Sequence, residues 1–312
     1  MKKFFIALTL ILAASNGLFA QQDAQYTQYM YNTIAVNPAY AGSRGVLSLN
    51  GLYRTQWIGL DGAPTTFTAN FHTPVSRRVG IGLSVVSDEI GNGTNQDQYF
   101  DAVFSYTVPT SENGKLSFGL KAGGHLLNVD FTKLQNYRAD LNATNLDNID
   151  SKFSPNFGAG VYYHTDKFYA GVSVPNFLKT QHFDDASGNA SFLAEERLNL
   201  YLITGYVFDL NPDLKFKPAA LVKAVSGAPL QVDVSANFMF NQKFTLGAAY
   251  RWDAALSGLF GFQITDQFML GLAYDKEITE LGNTAFNSGS FEIMLRYEFL
   301  TKYKKVITPR FF

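Results

Sequence analysis

From Phe291 to Phe299 the chain sets Phe291, Ile293, Leu295, Tyr297 and Phe299 on one face, and Glu292, Met294, Arg296 and Glu298 on the other. Successive side chains of a strand point to opposite faces. A strand of such contrast either covers a soluble core or turns its apolar face to lipid and its charges to a lumen. The alternation returns along almost the whole chain, and no Pro/Gly/Ser-rich linker divides it, which favours the second arrangement. The expected fold is all-β: a single transmembrane antiparallel β-barrel.

Fourteen strands can be read: Gly45–Trp57, Thr65–His72, Arg78–Ser87, Asp97–Val108, Lys115–Asp130, Pro155–Thr165, Lys167–Val174, Leu193–Phe208, Leu214–Val225, Leu230–Met239, Lys243–Trp252, Ala255–Thr265, Gln267–Asp275 and Gly289–Leu300. An even number is what a bacterial single-chain barrel requires. The links sort by parity. Asp88–Asn95, Phe131–Ser154, Pro175–Phe192 and Lys276–Ser288 are long and polar, and are assigned to the outside. Thr73–Arg77, Asp166, Asp209–Asp213 and Asn241–Gln242 are short, and are assigned to the periplasm. The lipid face is expected to carry Leu47, Leu49, Tyr53, Val79, Ile81, Leu83, Val85, Phe118, Leu120, Ala122, Phe268, Leu270, Leu272 and Tyr274. The lumen is expected to carry Arg54, Asp101, Lys121, Arg197, Lys223, Asp233, Arg251, Glu292, Arg296 and Glu298. These mixed charges read as an internal ion-pair network rather than a solute path, because no ring of a single sign appears.

Met1-Lys2-Lys3, an apolar run from Phe4 to Ala14 and a small residue at Ala20 read as a cleaved secretory signal over residues 1–20. Residues 21–44 are rich in Tyr, Gln and Asn, with Pro38 and Gly42 breaking regular structure. They are expected to plug the lumen or its mouth from the periplasmic side, through Tyr26, Tyr29, Tyr31, Asn37, Pro38 and Tyr40. Amphipathic aromatics gain little in water, whereas a lumen suits both their rings and their hydroxyls. The barrel proper is expected over 45–300. Residues 301–312 form a basic periplasmic tail with Lys304, Lys305, Pro309, Arg310, Phe311 and Phe312.

Chemistry is sparse. The chain has no cysteine, which excludes disulfides and thiolate sites. Its net charge of −1 gives no case for a nucleic-acid partner. His72, His125, His164 and His182 show no metal spacing, although His125 and His164 fall on adjacent strands, where contact is conceivable. Asp147–Asp150 lacks the full spacing of a calcium loop. No nucleophile elbow, phosphate loop or zinc motif is present. The expectation is a non-enzyme without cofactor.

The stretches Gln25-Tyr26-Thr27-Gln28-Tyr29-Met30-Tyr31-Asn32 and Asn37-Pro38-Ala39-Tyr40-Ala41-Gly42-Ser43 resemble the opening motif of the PorP/SprF family of type IX secretion outer-membrane proteins of gliding and adhesin-secreting Bacteroidetes. Tyr53-Arg54-Thr55-Gln56-Trp57 with Gly62-Ala63-Pro64 is similar to that family's first hairpin, and Thr308-Pro309-Arg310-Phe311-Phe312 to its end. The resemblance implies an outer-membrane accessory that docks or anchors a secreted adhesin through a type B C-terminal sorting domain and meets periplasmic secretion components. Both termini are expected in the periplasm. The outer-loop aromatics Phe131, Tyr137, Phe177, Phe183 and Phe192 are the candidate partner contacts. The competing expectation is an outer-membrane transporter for a hydrophobic or small solute.

Overall fold

A computed structural model of the chain describes residues 25–136, 148–178, 198–225, 228–279, 282, 284 and 287–300. The strands are β1 (Leu47–Thr55), β2 (Thr65–Pro74), β3 (Val79–Ile90), β4 (Asn95–Pro109), β5 (Lys115–Val129), β6 (Ile149–His164), β7 (Phe168–Val174), β8 (Asn199–Tyr206), β9 (Phe208–Asn211), β10 (Leu214–Val225), β11 (Gln231–Phe240), β12 (Phe244–Arg251), β13 (Ala255–Gln263), β14 (Phe268–Glu277) and β15 (Ser290–Phe299). Apart from β8 and β9, each pairs antiparallel with its neighbours in sequence. β1 also pairs with β15, from Leu47 opposite Phe299 to Thr55 opposite Phe291, which closes the ring.

β8 and β9 both pair with β10 and are two halves of one strand, interrupted at the buried Val207. The result is a closed barrel of fourteen strands, the number read from the sequence. Closure leaves no free sheet edge, the condition for a sheet to cross a membrane.

The alternation is realised as inward and outward faces. Along β1, Ser48, Asn50, Leu52 and Arg54 are buried, while Leu49 and Tyr53 are exposed. Along β3, Gly80, Gly82 and Ser84 are buried between the exposed Ile81 and Leu83. Outward apolar positions on β5 run from Leu116 to Leu126. Ten residue steps of about 3.4 Å, tilted by about 40°, make a band of roughly 26 Å. Aromatic rings gird the short-turn rim: Tyr206 meets Phe208 at 4.6 Å, Phe216 meets Phe238 at 4.8 Å, and Phe244 meets Phe262 at 4.9 Å. An exposed apolar belt edged by aromatics is the surface of a protein solvated by lipid.

The two ends differ. At one end the links are residues 75–78, 110–114, 165–167, 212–213, 241–243 and 264–267; the other end holds the longer ones, 130–148, 175–198 and 278–289. The supposed long link Asp88–Asn95 is a correction. β3 and β4 continue pairing to Ile90 opposite Asn95, and a four-residue turn joins them. Ser87, Asp88, Gln96 and Gln98 are polar on both faces, so strands that outrun the lipid band lose the alternation that reveals them. For the same reason β6 begins at Ile149 rather than Pro155. The start expected for the eighth strand, Leu193, lies outside the described residues.

Candidate functional site: the lumen segment and the mouths of the barrel

Residues 25–44 lie inside the ring, since their partners sit on strands all round it. Two short 3₁₀ turns, η1 (Thr33–Ala35) and η2 (Pro38–Tyr40), carry the backbone. Asn37 caps η2: its side-chain oxygen accepts the Ala39 N–H at 2.9 Å, and Pro38 supplies the first residue with φ already fixed. Gly42 takes φ 73°, a left-handed conformation, and turns the chain toward β1.

The segment's polar contacts run in order along the barrel. At the long-loop end the Arg251 guanidinium donates to Gln25 at 3.1 Å and pairs with Asp233 at 2.7 Å. Next comes a cluster in which Arg54 pairs with Asp275 at 2.7 Å and with Glu292 at 3.3 Å. The Thr27 hydroxyl donates to Asp275 at 2.7 Å, and the backbone N–H groups of Thr27 and Gln28 donate to Glu292 at 3.0 and 2.8 Å. One cation thus faces two carboxylates; the segment's backbone donors cover both oxygens of Glu292, and its Thr27 hydroxyl shares Asp275 Oδ2 with Arg54. Buried carboxylates need such partners.

Lower down, Asn70 donates to the Asn32 side chain at 2.7 Å, Ser173 to the Val36 carbonyl at 2.6 Å, and Asn37 to the Val161 carbonyl at 3.1 Å. Near the short turns, Ser105 donates to the Ala41 carbonyl at 2.7 Å, the Gly42 N–H donates to His72 at 3.1 Å, and Arg44 pairs with Glu298.

Apolar packing accompanies these bonds. Tyr29, Met30, Tyr31, Ile34, Ala39 and Tyr40 are buried and join one cluster with Leu52, Tyr162, Tyr169, Leu259 and Met294 from the wall. Tyr40 meets His72 and Tyr162 edge-on, each at 5.5 Å, and the Lys217 ammonium lies 5.2 Å from the Tyr31 ring centre. The Tyr26 hydroxyl bonds to Thr68 at 3.1 Å. At Gly119 a side chain would run into the backbone of Ala39, so glycine lets η2 press on the wall.

Of the inward charges expected from the sequence, Arg54, Asp101, Lys223, Asp233, Arg251, Glu292 and Arg296 are buried, and Lys121 pairs with Asp101 at 2.9 Å. Arg197 lies outside the described residues. Asp275, Lys217 and Arg44 were missed, although strand parity would have found Asp275 and, six residues from Lys223 on β10, Lys217. The conceived contact of His125 with His164 does not occur. Their ladder partners on the neighbouring strand are Ser154 and Lys115, at opposite ends of the β5–β6 pair. His125 instead bonds to Asp97 at 2.6 Å and stacks on Tyr99.

Among the expected partner contacts, Phe131 opens η3 (Phe131–Asn136), half-buried at the long-loop end. Its N–H donates to Asn148 at 2.9 Å. Beside it Asp130 accepts the Thr132 hydroxyl at 2.5 Å, which holds its carboxyl below the usual range. Phe177 is exposed, and its N–H donates to the Phe157 carbonyl at 2.8 Å. Tyr137, Phe183, Phe192 and the tail with Lys304, Lys305, Pro309, Arg310, Phe311 and Phe312 lie outside the described residues. Among the described residues no group of acidic or histidine side chains is arranged to hold a metal ion.

The family model for the type IX secretion system membrane protein PorP/SprF matches residues 18–297. The chain belongs to the PorP/SprF family. That match takes in the lumen segment together with the barrel, and supports an outer-membrane secretion component. No curated protein sequence matches this PorP/SprF chain. Among solved structures it is similar to a TodX deltaS2S3 mutant, a monoaromatic hydrocarbon channel, with TM-score 0.50 and 10% identity over 88% of this chain and 94% of that one. The CymD monoaromatic hydrocarbon channel gives TM-score 0.49 and 12% identity over 93% and 97%. Omp33 of Acinetobacter baumannii gives 0.48 and 10% over 81% and 98%. At such identity the likeness concerns the barrel fold alone.

Proposed function

We propose that this barrel is a docking and anchoring accessory of type IX secretion. It holds a secreted adhesin at the cell surface by that protein's type B C-terminal sorting domain. The signal over residues 1–20 is removed, the long loops face outward, and the short turns with the basic tail 301–312 meet periplasmic secretion components. Phe131, Tyr137, Phe177, Phe183 and Phe192 supply the aromatic contacts of the outer face.

The observation that carries this reading is the filled lumen. A segment hydrogen-bonded to the wall from Arg251 at one end to Glu298 at the other leaves the mouths, not the bore, as working surfaces. The same filling weighs against a transporter of small solutes, as does the absence of a single-sign charge ring among the described residues. Tyr26, Tyr29, Tyr31, Asn37, Pro38 and Tyr40 then act as a permanent plug that prevents leakage.

Shortening both long loops, residues 134–147 and 179–197, tests the reading. The expected result is heat-modifiable barrel still present in the outer membrane, with surface proteins bearing type B sorting domains released into the medium. Normal surface retention of all such proteins would overturn loop docking.

A further inference from the structure

We infer that the lumen segment descends from the long-loop mouth to the short-turn mouth, so that the amino end of the processed chain belongs to the outer face of the barrel. The order of contacts carries this. Gln25 meets Arg251, the last residue of β12, immediately before the turn into β13. Thr27 meets Asp275 and Glu292, near the end of β14 and the start of β15, also at the long-loop end. Asn32 is held by Asn70 in the middle of β2, and Gly42 by His72 near the end of β2. Arg44 meets Glu298, one residue from the end of β15, at the short-turn end. The first strand therefore starts at the short turns, while the chain that feeds it comes from the opposite mouth. A segment entering from the periplasm would place residue 25 beside the short turns.

The mouth it reaches is a built surface. Gln25, Arg54, Lys223 and Arg251 line a cavity of about 690 Å³ together with Trp57 and Trp252. These are the chain's two tryptophans. Trp57 holds a left-handed backbone, φ 45°, with its N–H on Ser290 and its indole N–H on Glu277. Such a conformation in a bulky residue persists only where surroundings enforce it. Trp252 is 64% exposed. Gln25 thus lines a chamber shared by both tryptophans and by charged side chains, and this mouth forms part of the face a protein partner meets.

The inference rests on the reading that long loops point outward, and the test separates the two. An epitope tag is inserted between Ala24 and Gln25. Single cysteines are placed in this cysteine-free chain at Asp61, in the β1–β2 loop, and at Glu112, in the β4–β5 turn. Intact cells are probed with antibody and with a membrane-impermeant maleimide. The expected result is that tag and Asp61→Cys react on intact cells, and Glu112→Cys only after permeabilisation. If the tag reacts in company with Glu112 rather than Asp61, the direction of the segment is overturned. If Asp61 and Glu112 exchange places while the tag follows Asp61, the segment's direction stands, but the amino end lies in the periplasm and its outer-face assignment is overturned. Should the tag block folding, the pair Thr27→Cys/Asp275→Cys replaces it. The inference expects a disulfide there and none in Thr27→Cys/His72→Cys; the reverse would overturn it.

Discussion

Replacing Arg54 with methionine removes the only cation that pairs with Asp275 and Glu292 among the described contacts. Arg54 is 2% exposed, Asp275 1% and Glu292 0%. The change deletes two ion pairs and the bond from the guanidinium to the Thr27 hydroxyl at 3.0 Å. Glu292 still accepts two backbone N–H groups from the lumen segment, whereas Asp275 keeps the Thr27 hydroxyl. Removing one partner of a buried pair costs about 3–5 kcal/mol, chiefly because the other charge is stranded. Arg54→Met should therefore lose about that amount, and Asp275→Asn added to it should recover part, with a coupling of roughly 0.5–3 kcal/mol. Urea unfolding in lipid vesicles, followed by heat-modifiable mobility, measures both. Trp57 and Trp252 give a second signal, because both stand at the same mouth. A loss in Arg54→Met below about 1 kcal/mol, or strict additivity in the double variant, would refute a buried, mutually dependent cluster.

Leu120 is 62% exposed on the outer wall, and Leu120→Arg should cost about 2–4 kcal/mol near mid-membrane; an unchanged folded fraction on gels would mean that this face does not meet lipid. Gly119→Val should lower the melting temperature by pushing η2 off the wall, whereas Gly51→Ala, where nothing lies within 4 Å, should be silent. Equal effects would remove the close approach as the reason for glycine at position 119. Deleting residues 25–40 should raise single-channel conductance in planar bilayers or abolish assembly; a folded barrel of unchanged conductance would show that the segment neither seals nor supports it.

The barrel was legible because lipid outside and charge inside impose a period of two on every strand. The strand count, the outward row Ile81–Leu83 and the inward row Arg54–Glu292 follow from that period alone. It fails where the constraint ends. Beyond the lipid band both faces are wet, so the upper reaches of β3, β4 and β6 were read as loops. Inside, parity says that a residue faces the lumen but not how much room it finds. Gly271 has lumen parity, yet a side chain there would meet Gln28 and Met294. Partnership was equally hidden: Arg54 meets its carboxylates across β1, β14 and β15, and ladder register is not written in composition.

The direction of the lumen segment was the least legible feature, for a physical reason. Tyrosine, glutamine and asparagine are spread along it without a gradient, so either orientation satisfies composition and burial alike. What fixes the orientation is complementarity between a few groups. The backbone N–H donors at Thr27 and Gln28 need an acceptor, which the wall offers at Glu292 near the long loops. The cation at Arg44 seeks an anion, which the wall offers at Glu298 near the short turns. Reversal would part Arg44 from Glu298 and the Thr27 and Gln28 N–H groups from Glu292. Opposite charges in a poorly solvated lumen attract by about 4 kcal/mol at contact distance and an effective dielectric of 20. A few placed charges therefore decide which mouth receives the amino end, although the aromatic packing supplies most of the burial that keeps the segment inside.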